Sequence, residues 1–551
     1  MSHQTTIAVA FGILLLQIGV STVMANETQF VGTVIDAETQ QPIAARIYLQ
    51  DQEDQWHFVT TADEKGSAMP YAEQWVPMPN SVDQHTTVSA HPFQVQLPAG
   101  RYRLTIERGK EYHPLAKELV IGNDGPQTET FHLQRWVDMA RRHWYSGETH
   151  VHRRVHELAN VMLAEDLNVA FPVTFWTTSA EIAPHRRPSS LRRQGPSPFG
   201  DRQDFGSKPI HIDPTHVILP RNTEYEIFSV RQQNHVLGAM FVLNHQTPFN
   251  DVVPPVGPVA QKAHQENALI DLDKHNWPWS LMLVPIAKVD LFELANNSLW
   301  RTNFGFRQTM VAPADFMQVE SDEQGLTEFG WIQFGWETYY MLLNCGFRLQ
   351  PTAGTASGVH PVPLGFGRVY VHLPQGFSVD AWLNGLRNGQ SFVTTGPMLF
   401  LTIDNQDPGH QFTADQLWHA VLRGTIVSDQ SLEAIELVVN GQVHSLPLAL
   451  TRTEHAFEYA VDHDLTLEHS SWLAVRCHSR NAEGRIRFAH SAPWQVQIGQ
   501  QPVRPKRHEV EHLIQQMQRE LSRNREFLSR ESLAEFQAAL EFYQGLRATR
   551  R

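Results

Sequence analysis

The spacing of apolar residues changes character several times along the chain. From Phe30 to about Arg135 it alternates every second residue in short runs: Val31-Gly-Thr-Val-Ile-Asp36, Ala44–Leu49, Phe93-Gln-Val-Gln-Leu97 and Tyr102-Arg-Leu-Thr-Ile106. Gly, Pro and Asp punctuate these runs. Successive side chains on a strand face opposite ways, so the pattern predicts strands with one buried face, assembled as an antiparallel β-sandwich. From 136 to about 395 the texture is different. Apolar runs such as Val169–Phe175 and Leu237–Leu243 alternate with helical windows at Val155–Leu167 and Pro258–Glu266. Alternating strand and helix predicts an α/β domain with a largely parallel, barrel-like sheet, whose site would lie at strand ends. Within it, Glu181–Asp213 is rich in Pro, Arg, Ser and Gly and reads as a long surface loop.

Strand character returns over 399–498, with Ala434-Ile-Glu-Leu-Val-Val-Asn440-Gly441 as a strand entering a turn, then Trp472–Arg476 and Trp494–Ile498. A second small sandwich is the economical assignment. Pro502 and Pro505 make a linker into 506–548. There Leu513, Met517, Leu521, Leu528 and Leu533 fall on one face of a helix or helical hairpin. Its charges are of mixed sign, which suits packing against the body better than a membrane surface.

A length of 551 residues exceeds what one core organises and calls for three or four domains. The net charge of −14 argues against a nucleic-acid partner, because phosphate contacts need clustered Lys and Arg. Arg186-Arg187 and Arg192-Arg193 are too short to reverse this. Ile7–Ile18 is nearly all apolar and Val23-Met-Ala25 offers small residues for cleavage before Asn26. Residues 1–25 therefore read as a cleaved signal peptide, and the mature protein as exported, periplasmic or extracellular, without stable membrane insertion. Two cysteines, Cys345 and Cys477, exclude a disulfide scaffold and a thiolate zinc site. Any metal must be held by His and carboxylates.

The chemistry centres on Trp144-Tyr-Ser-Gly-Glu-Thr-His-Val-His152. On a strand, His150 and His152 face the same way and can present two imidazoles to one divalent cation. Further groups with ligand chemistry follow: Glu224 after Val217-Ile-Leu-Pro220, His235 opening a strand, Asp271, Asp273 and His275 in alternation, and Asp290-Leu-Phe-Glu293 with Asn296. Singly, each reads as a solvated carboxylate or a satisfied core histidine. Together they place N and O donors at successive strand ends, as a metallohydrolase requires.

Two resemblances follow from these motifs. Gly32-x-Val34-x-Asp36, Pro42-Ile-x-Ala-Arg-Ile47 and Leu97-Pro-Ala-Gly-x-Tyr102 resemble the carboxypeptidase-regulatory-like, transthyretin-type domain, an accessory module. Ser146-Gly-Glu-Thr-His150-Val-His152 resembles the opening motif of the polymerase-and-histidinol-phosphatase (PHP) fold. With Ala164–Ala170, Tyr339–Arg348, Gly354-Thr-Ala-Ser-Gly358, Gly365–Tyr370 and Gly389–Pro397, residues 140–400 resemble the CehA/McbA-type (carbaryl-hydrolase-like) metallohydrolases.

That resemblance implies a distorted (β/α)7 barrel, divalent metals and hydrolysis of an ester, phosphoester, carbamate or amide. It implies His150, His152, Glu224, His235 and His275 as metal ligands, with His245 competing for one place. Where the family has Thr-Asp-His this chain has Thr174-Phe175-Trp176, and where it has Gly-Ser-Asp-x-His this chain has Gly354-Thr-Ala356-Ser-Gly, with His360 four residues on. The losses favour one Zn²⁺ or Mn²⁺ over two or three, with Phe175 and Trp176 flooring a pocket. Glu165, Asp166 or Asp273 is the candidate general base. The substrate is a small molecule or glycan. The rival reading is a degenerate barrel that binds a glycan or polymer without turnover, using Trp277, Trp279, Trp300, Trp331 and Trp336.

Overall fold

The structure is a computed structural model that describes residues 27–73, 83–186, 204–301 and 304–548. The segment read as a signal peptide, and the 187–203 part of the Pro- and Arg-rich stretch, lie outside the described residues.

The N-terminal region is two packed sheets. Glu27–Asp36 alternates buried and half-exposed positions, and pairs antiparallel with Phe93–Pro98 and parallel with Gln127–Leu133. Ala45–Gln50 lies inside a five-stranded antiparallel sheet between Asp83–Val88 and Gly100–Glu107. Phe30, Ile47, Phe93, Leu104 and Phe131 fill the space between the sheets. The alternating pattern works because one face of each strand is buried and the other meets water.

The central region holds two open sheets. One is six-stranded, in the order Phe175–Ser179, Asn222–Val230, Gln233–Leu243, Leu269–Leu272, Leu291–Ala295, Gln350–Ala353. Three of its five ladders are parallel; the other two are antiparallel, because Asn222–Val230 and Gln233–Leu243 form a hairpin and the latter runs antiparallel to Leu269–Leu272. The hairpin turns through Arg231 (φ 51°) and Gln232 (φ 64°), without the Asn-Gly pair that usually announces such a turn.

The other sheet starts from Trp144–Val151, which pairs parallel with Val169–Pro172 and antiparallel with Arg368–His372. Single contacts tie this strand's end to segments that flank the six-stranded sheet. Val173 N–H donates to the Val151 carbonyl at 2.7 Å, and Val151 bridges Ser357. Among the described residues no sheet closes on itself through continuous ladders.

The strand ladder continues from Arg368–His372 through Ser391–Thr394 to Ile486–Ser491 and Ser471–Arg480. The 399–498 region therefore shares a sheet with the central region. Trp144, Tyr370 and Phe392 pack in one core with Leu399, Leu437 and Trp494. The chain ends in a helical hairpin, Arg507–Asn524 and Arg530–Gly545, whose Val510, Leu513, Ile514, Met517 and Phe536 enter the central core. Glu535 accepts from Val256 N and Gly257 N at 2.7–2.9 Å, satisfying free N–H groups at the start of helix Gly257–Gln265. No helix among the described residues is long and apolar enough to cross a membrane. Cys345 and Cys477 are both buried and free.

Candidate metal centre

Every residue of Trp144–Val151 is buried, so its polar side chains must find partners inside the protein. The Gly354–Gly358 turn fixes the strand's end, with Ala356 N–H donating to the His150 carbonyl and His152 N–H to the Ser357 carbonyl, both at 2.9 Å. Gly354 is small for a reason: a Cβ there would lie 2.0 Å from Glu293 Oε1 and 2.3 Å from His150 Cβ. Glu148 ties the same turn down, accepting from Thr355 N at 2.7 Å and from the Thr355 hydroxyl. Burial lifts the Glu148 carboxyl to about 7 in spite of these hydrogen bonds.

His150, His152, Glu224, Asp273 and Glu293 converge at this strand end. His150 Nε2 is 3.2 Å from His152 Nε2, His152 Nε2 is 3.2 Å from Glu224 Oε2, and His150 Nε2 is 4.0 Å from Glu224 Oε1. Donors about 2.0–2.2 Å from a tetrahedral cation sit roughly 3.3–3.6 Å apart, so these separations are near those of a metal's ligand shell. On its other side, His150 Nδ1 is 3.1 Å from Glu293 Oε1 and 3.6 Å from Asp273 Oδ1. The carboxylates at Nδ1 orient the ring, so that Nε2 faces His152 Nε2 and Glu224.

The charges are unbalanced. Burial lifts Glu224 to about 7, and lifts Glu226 and Glu293 well above the usual carboxylate range. Burial also opposes ionisation of Asp273, but Lys274 and His150 outweigh it and hold that carboxyl far down. Lys274 is ion-paired with Asp273. Neither Glu224 oxygen accepts a hydrogen bond among the described residues, although Glu224 is only 1% exposed. Leaving a buried carboxylate without donors is costly. Two imidazole nitrogens turned toward each other and an undonated carboxylate are the donor set a divalent cation satisfies. Three overlapping triads, His150–His152–Glu224, His150–Asp273–Glu293 and Glu224–Glu226–Asp273, make one compact centre.

Five residues expected at the site lie elsewhere. His235 bonds Asn524 Oδ1 at 2.7 Å and stacks on Phe527, holding the C-terminal hairpin. His275 points into a cage of Trp331, Phe334 and Phe292, where burial drives its pKa down to about 3. Its strand ends at Leu272, so the alternation that put it beside Asp273 does not extend that far. Asp271 accepts from the Thr352 hydroxyl at 2.8 Å. Glu165 pairs with Arg46 at 3.2 Å. Asp166 pairs with Arg108 at 2.8 Å and Arg135 at 3.2 Å. Glu165 and Asp166 thus join the N-terminal sandwich to the central region, and of the three candidate bases only Asp273 is at the centre. The competitor His245 bonds the Thr223 hydroxyl and the Thr247 carbonyl, at 2.9 and 2.7 Å.

Sequence reasoning left out Glu226 and Lys274, and named Glu293 as a strand-end donor without assigning it a role. Glu226 lies two residues beyond Glu224 on the same strand, a spacing that could have found it. Trp176 packs edge-on against His152 at 5.0 Å. His360 feels the charges of Lys274, His150 and His152, and Tyr71 of the N-terminal sandwich donates to its carbonyl at 2.8 Å.

No protein-family model matches the chain, and no curated protein matches it. Among solved structures, the crystal structure of the group B streptococcus pilus 2b backbone protein is similar over 20% of this chain and 41% of that one, at 15% identity and a TM-score of 0.14. A likeness that slight carries no argument about fold or function.

Proposed function

We propose that this protein is an exported, PHP-like hydrolase dependent on one divalent cation, Zn²⁺ or Mn²⁺, acting on an ester, phosphoester, carbamate or amide. The observation that carries the reading is the buried, undonated Glu224 carboxylate facing the Nε2 atoms of His150 and His152. The six-stranded sheet, followed after Gln350–Ala353 by a turn whose Ser357 bridges Val151, supports a distorted barrel with its chemistry at strand ends.

His150, His152 and Glu224 would hold the cation. Bound, it supplies Lewis acidity toward water and toward a carbonyl or phosphoryl oxygen. The chain's own residues prepare the rest. Glu293 orients His150 by accepting at Nδ1. Asp273, kept ionised by Lys274, is the carboxylate able to take a proton. Trp176, buried and edge-on to His152, excludes water from the histidine side.

A binding module without turnover is the second reading, and enclosure favours it: His150, His152 and Asp273 are at most 4% exposed. Four of the five tryptophans offered as a glycan platform do not help it: Trp279, Trp300, Trp331 and Trp336 are core residues at 3% exposure or less, and Trp277 alone is half-buried.

The deciding experiment is turnover by zinc- or manganese-loaded mature protein on nitrophenyl esters, bis-nitrophenyl phosphate, aryl carbamates and anilides. The hydrolase reading expects hydrolysis of one class, abolished by chelator and by Glu224→Gln. Metal binding with no turnover of any class would leave the binding module.

A further inference from the structure

A cleft of about 1200 Å³ opens where the N-terminal sandwich, the central region and the shared C-terminal sheet meet, away from the metal centre. Five cationic side chains line it: Arg46, Lys110, Arg301, Arg485 and Arg487. Three have counter-charges. Arg46 and Arg301 both pair with Glu107, and Arg485 grips Glu328 with two nitrogens at 2.7 and 2.9 Å.

Lys110 and Arg487 do not. Among the described residues neither has a carboxylate within 4.0 Å. Lys110 Nζ donates to the Thr395 carbonyl at 3.1 Å, and Arg487 Nη1 to the Ile486 carbonyl at 2.9 Å. Both rest on the same ring, with Lys110 Nζ 3.8 Å and the Arg487 guanidinium carbon 4.9 Å from the centroid of Phe366. The Thr395-Gly396 turn is shaped to this arrangement: a Cβ on Gly396 would come within 2.9 Å of Arg487 Cβ.

Two like charges therefore both lie against one aromatic ring, partly out of water. Burial and the neighbouring cations Arg487, Arg368 and Arg46 press the Lys110 ammonium well below its ordinary range, and burial takes Arg487 down to about 10. The opposing charges act from beyond ion-pair distance: Asp429 on Lys110, and Glu328 and then Asp429 on Arg487. An anion within reach of both would accept a charge-assisted N–H bond from each and offset the cost of keeping the two cations out of water.

We propose that Lys110 and Arg487, seated on Phe366, form a binding site for the oxyanion of a small polar ligand, a phosphate, sulfate or carboxylate group. The rest of the cleft, with Gln50, Gln84 and Asn481 on its walls and Trp56 38% exposed at its margin, accommodates the polar body that carries the anion. The site is independent of the hydrolase reading.

The test is calorimetric titration of the full-length mature protein at low ionic strength with inorganic phosphate, sulfate and glucuronate, and with glucose as the uncharged control. At least one anion should bind saturably and one-to-one, and glucose should not. Lys110→Met and Arg487→Met should each weaken that binding about 10- to 100-fold, the loss of one charge-assisted contact. Arg141→Gln, which removes an exposed cation already paired with Glu38, should leave it unchanged. The anion that binds identifies the ligand chemistry. No saturable binding by any of the three anions overturns the proposal, as does wild-type affinity in Lys110→Met. Should a methionine variant fail to fold, the wild type decides through glucuronate against glucose: equal affinity for the two overturns it.

Discussion

In Gly354→Ala the new methyl group would sit 2.0 Å from Glu293 Oε1 and 2.3 Å from His150 Cβ, on the two residues that set the geometry of the metal centre. Non-bonded heavy atoms prefer about 3.5–4.0 Å, so the overlap exceeds 1 Å on both sides at once. Glu293 and His150 are 0% and 1% exposed, and a close-packed interior gives neither a route of retreat. Overpacking of this kind costs about 1–3 kcal/mol. Driving Glu293 from His150 Nδ1 adds about 1.5–3 kcal/mol for a hydrogen bond to a charged group. The variant should lose roughly 3–5 kcal/mol, which at about 2–4 °C per kcal/mol lowers the melting temperature by on the order of 10 °C.

The assay is thermal denaturation followed by circular dichroism, with chelator present so that only packing is read. Gly545→Ala is the matched control. No atom lies within 4 Å of its Cβ position, and it sits in helix Arg530–Gly545, so alanine there should be neutral or slightly stabilising. If Gly354→Ala melts within about 2 °C of the wild type, the tight juxtaposition of Gly354, Glu293 and His150 is refuted.

Glu293→Gln keeps the shape of the side chain and removes the carboxyl group that faces His150 Nδ1. Affinity for zinc, measured by competition with a chromogenic chelator, should fall about 10- to 100-fold, and unchanged affinity would contradict the orienting role. Acid stability should show the Glu107 pairs. Burial opposes ionisation there, but Arg301 and Arg46 hold the carboxyl down to about 2 from an ordinary 4.5. A depressed folded-state pKa means that the unfolded chain takes up the proton first as pH falls. The contribution is therefore complete above about pH 4.5 and drains away toward pH 2, in total on the order of 3 kcal/mol. Melting temperature against pH should fall less steeply in Glu107→Gln than in the wild type through that window; parallel curves would contradict it.

Local pattern carried much of this architecture and long-range pairing carried the rest. The alternation in Glu27–Asp36 and Phe93–Pro98 is visible because each strand has one wet face. His150 and His152 are legible because two residues of strand spacing force a shared face. The hairpin at Arg231 and Gln232 is not, since its left-handed turn is imposed on residues that do not favour it. Asp166 looks like a free carboxylate beside a helix until Arg108 and Arg135 arrive from the sandwich. The sheet shared by Ser391–Thr394 and Ile486–Ser491 joins strands some ninety residues apart, which no window of periodicity reports. Lys274 is hidden for another reason: a lysine beside an aspartate reads as a solvated pair, and only enclosure turns it into part of the centre.

The central claim is that His150, His152 and Glu224 hold one divalent cation. Elemental analysis tests it on protein stripped with chelator, reloaded with zinc or manganese and desalted. The wild type should retain about one metal per chain, while His150→Ala and His152→Ala, each missing one of few ligands, should retain well under half of that. His235→Ala should match the wild type, because that ring serves Asn524 and Phe527 at the hairpin. A wild type that stays metal-free after reloading, or full occupancy in both His150→Ala and His152→Ala, would contradict the account.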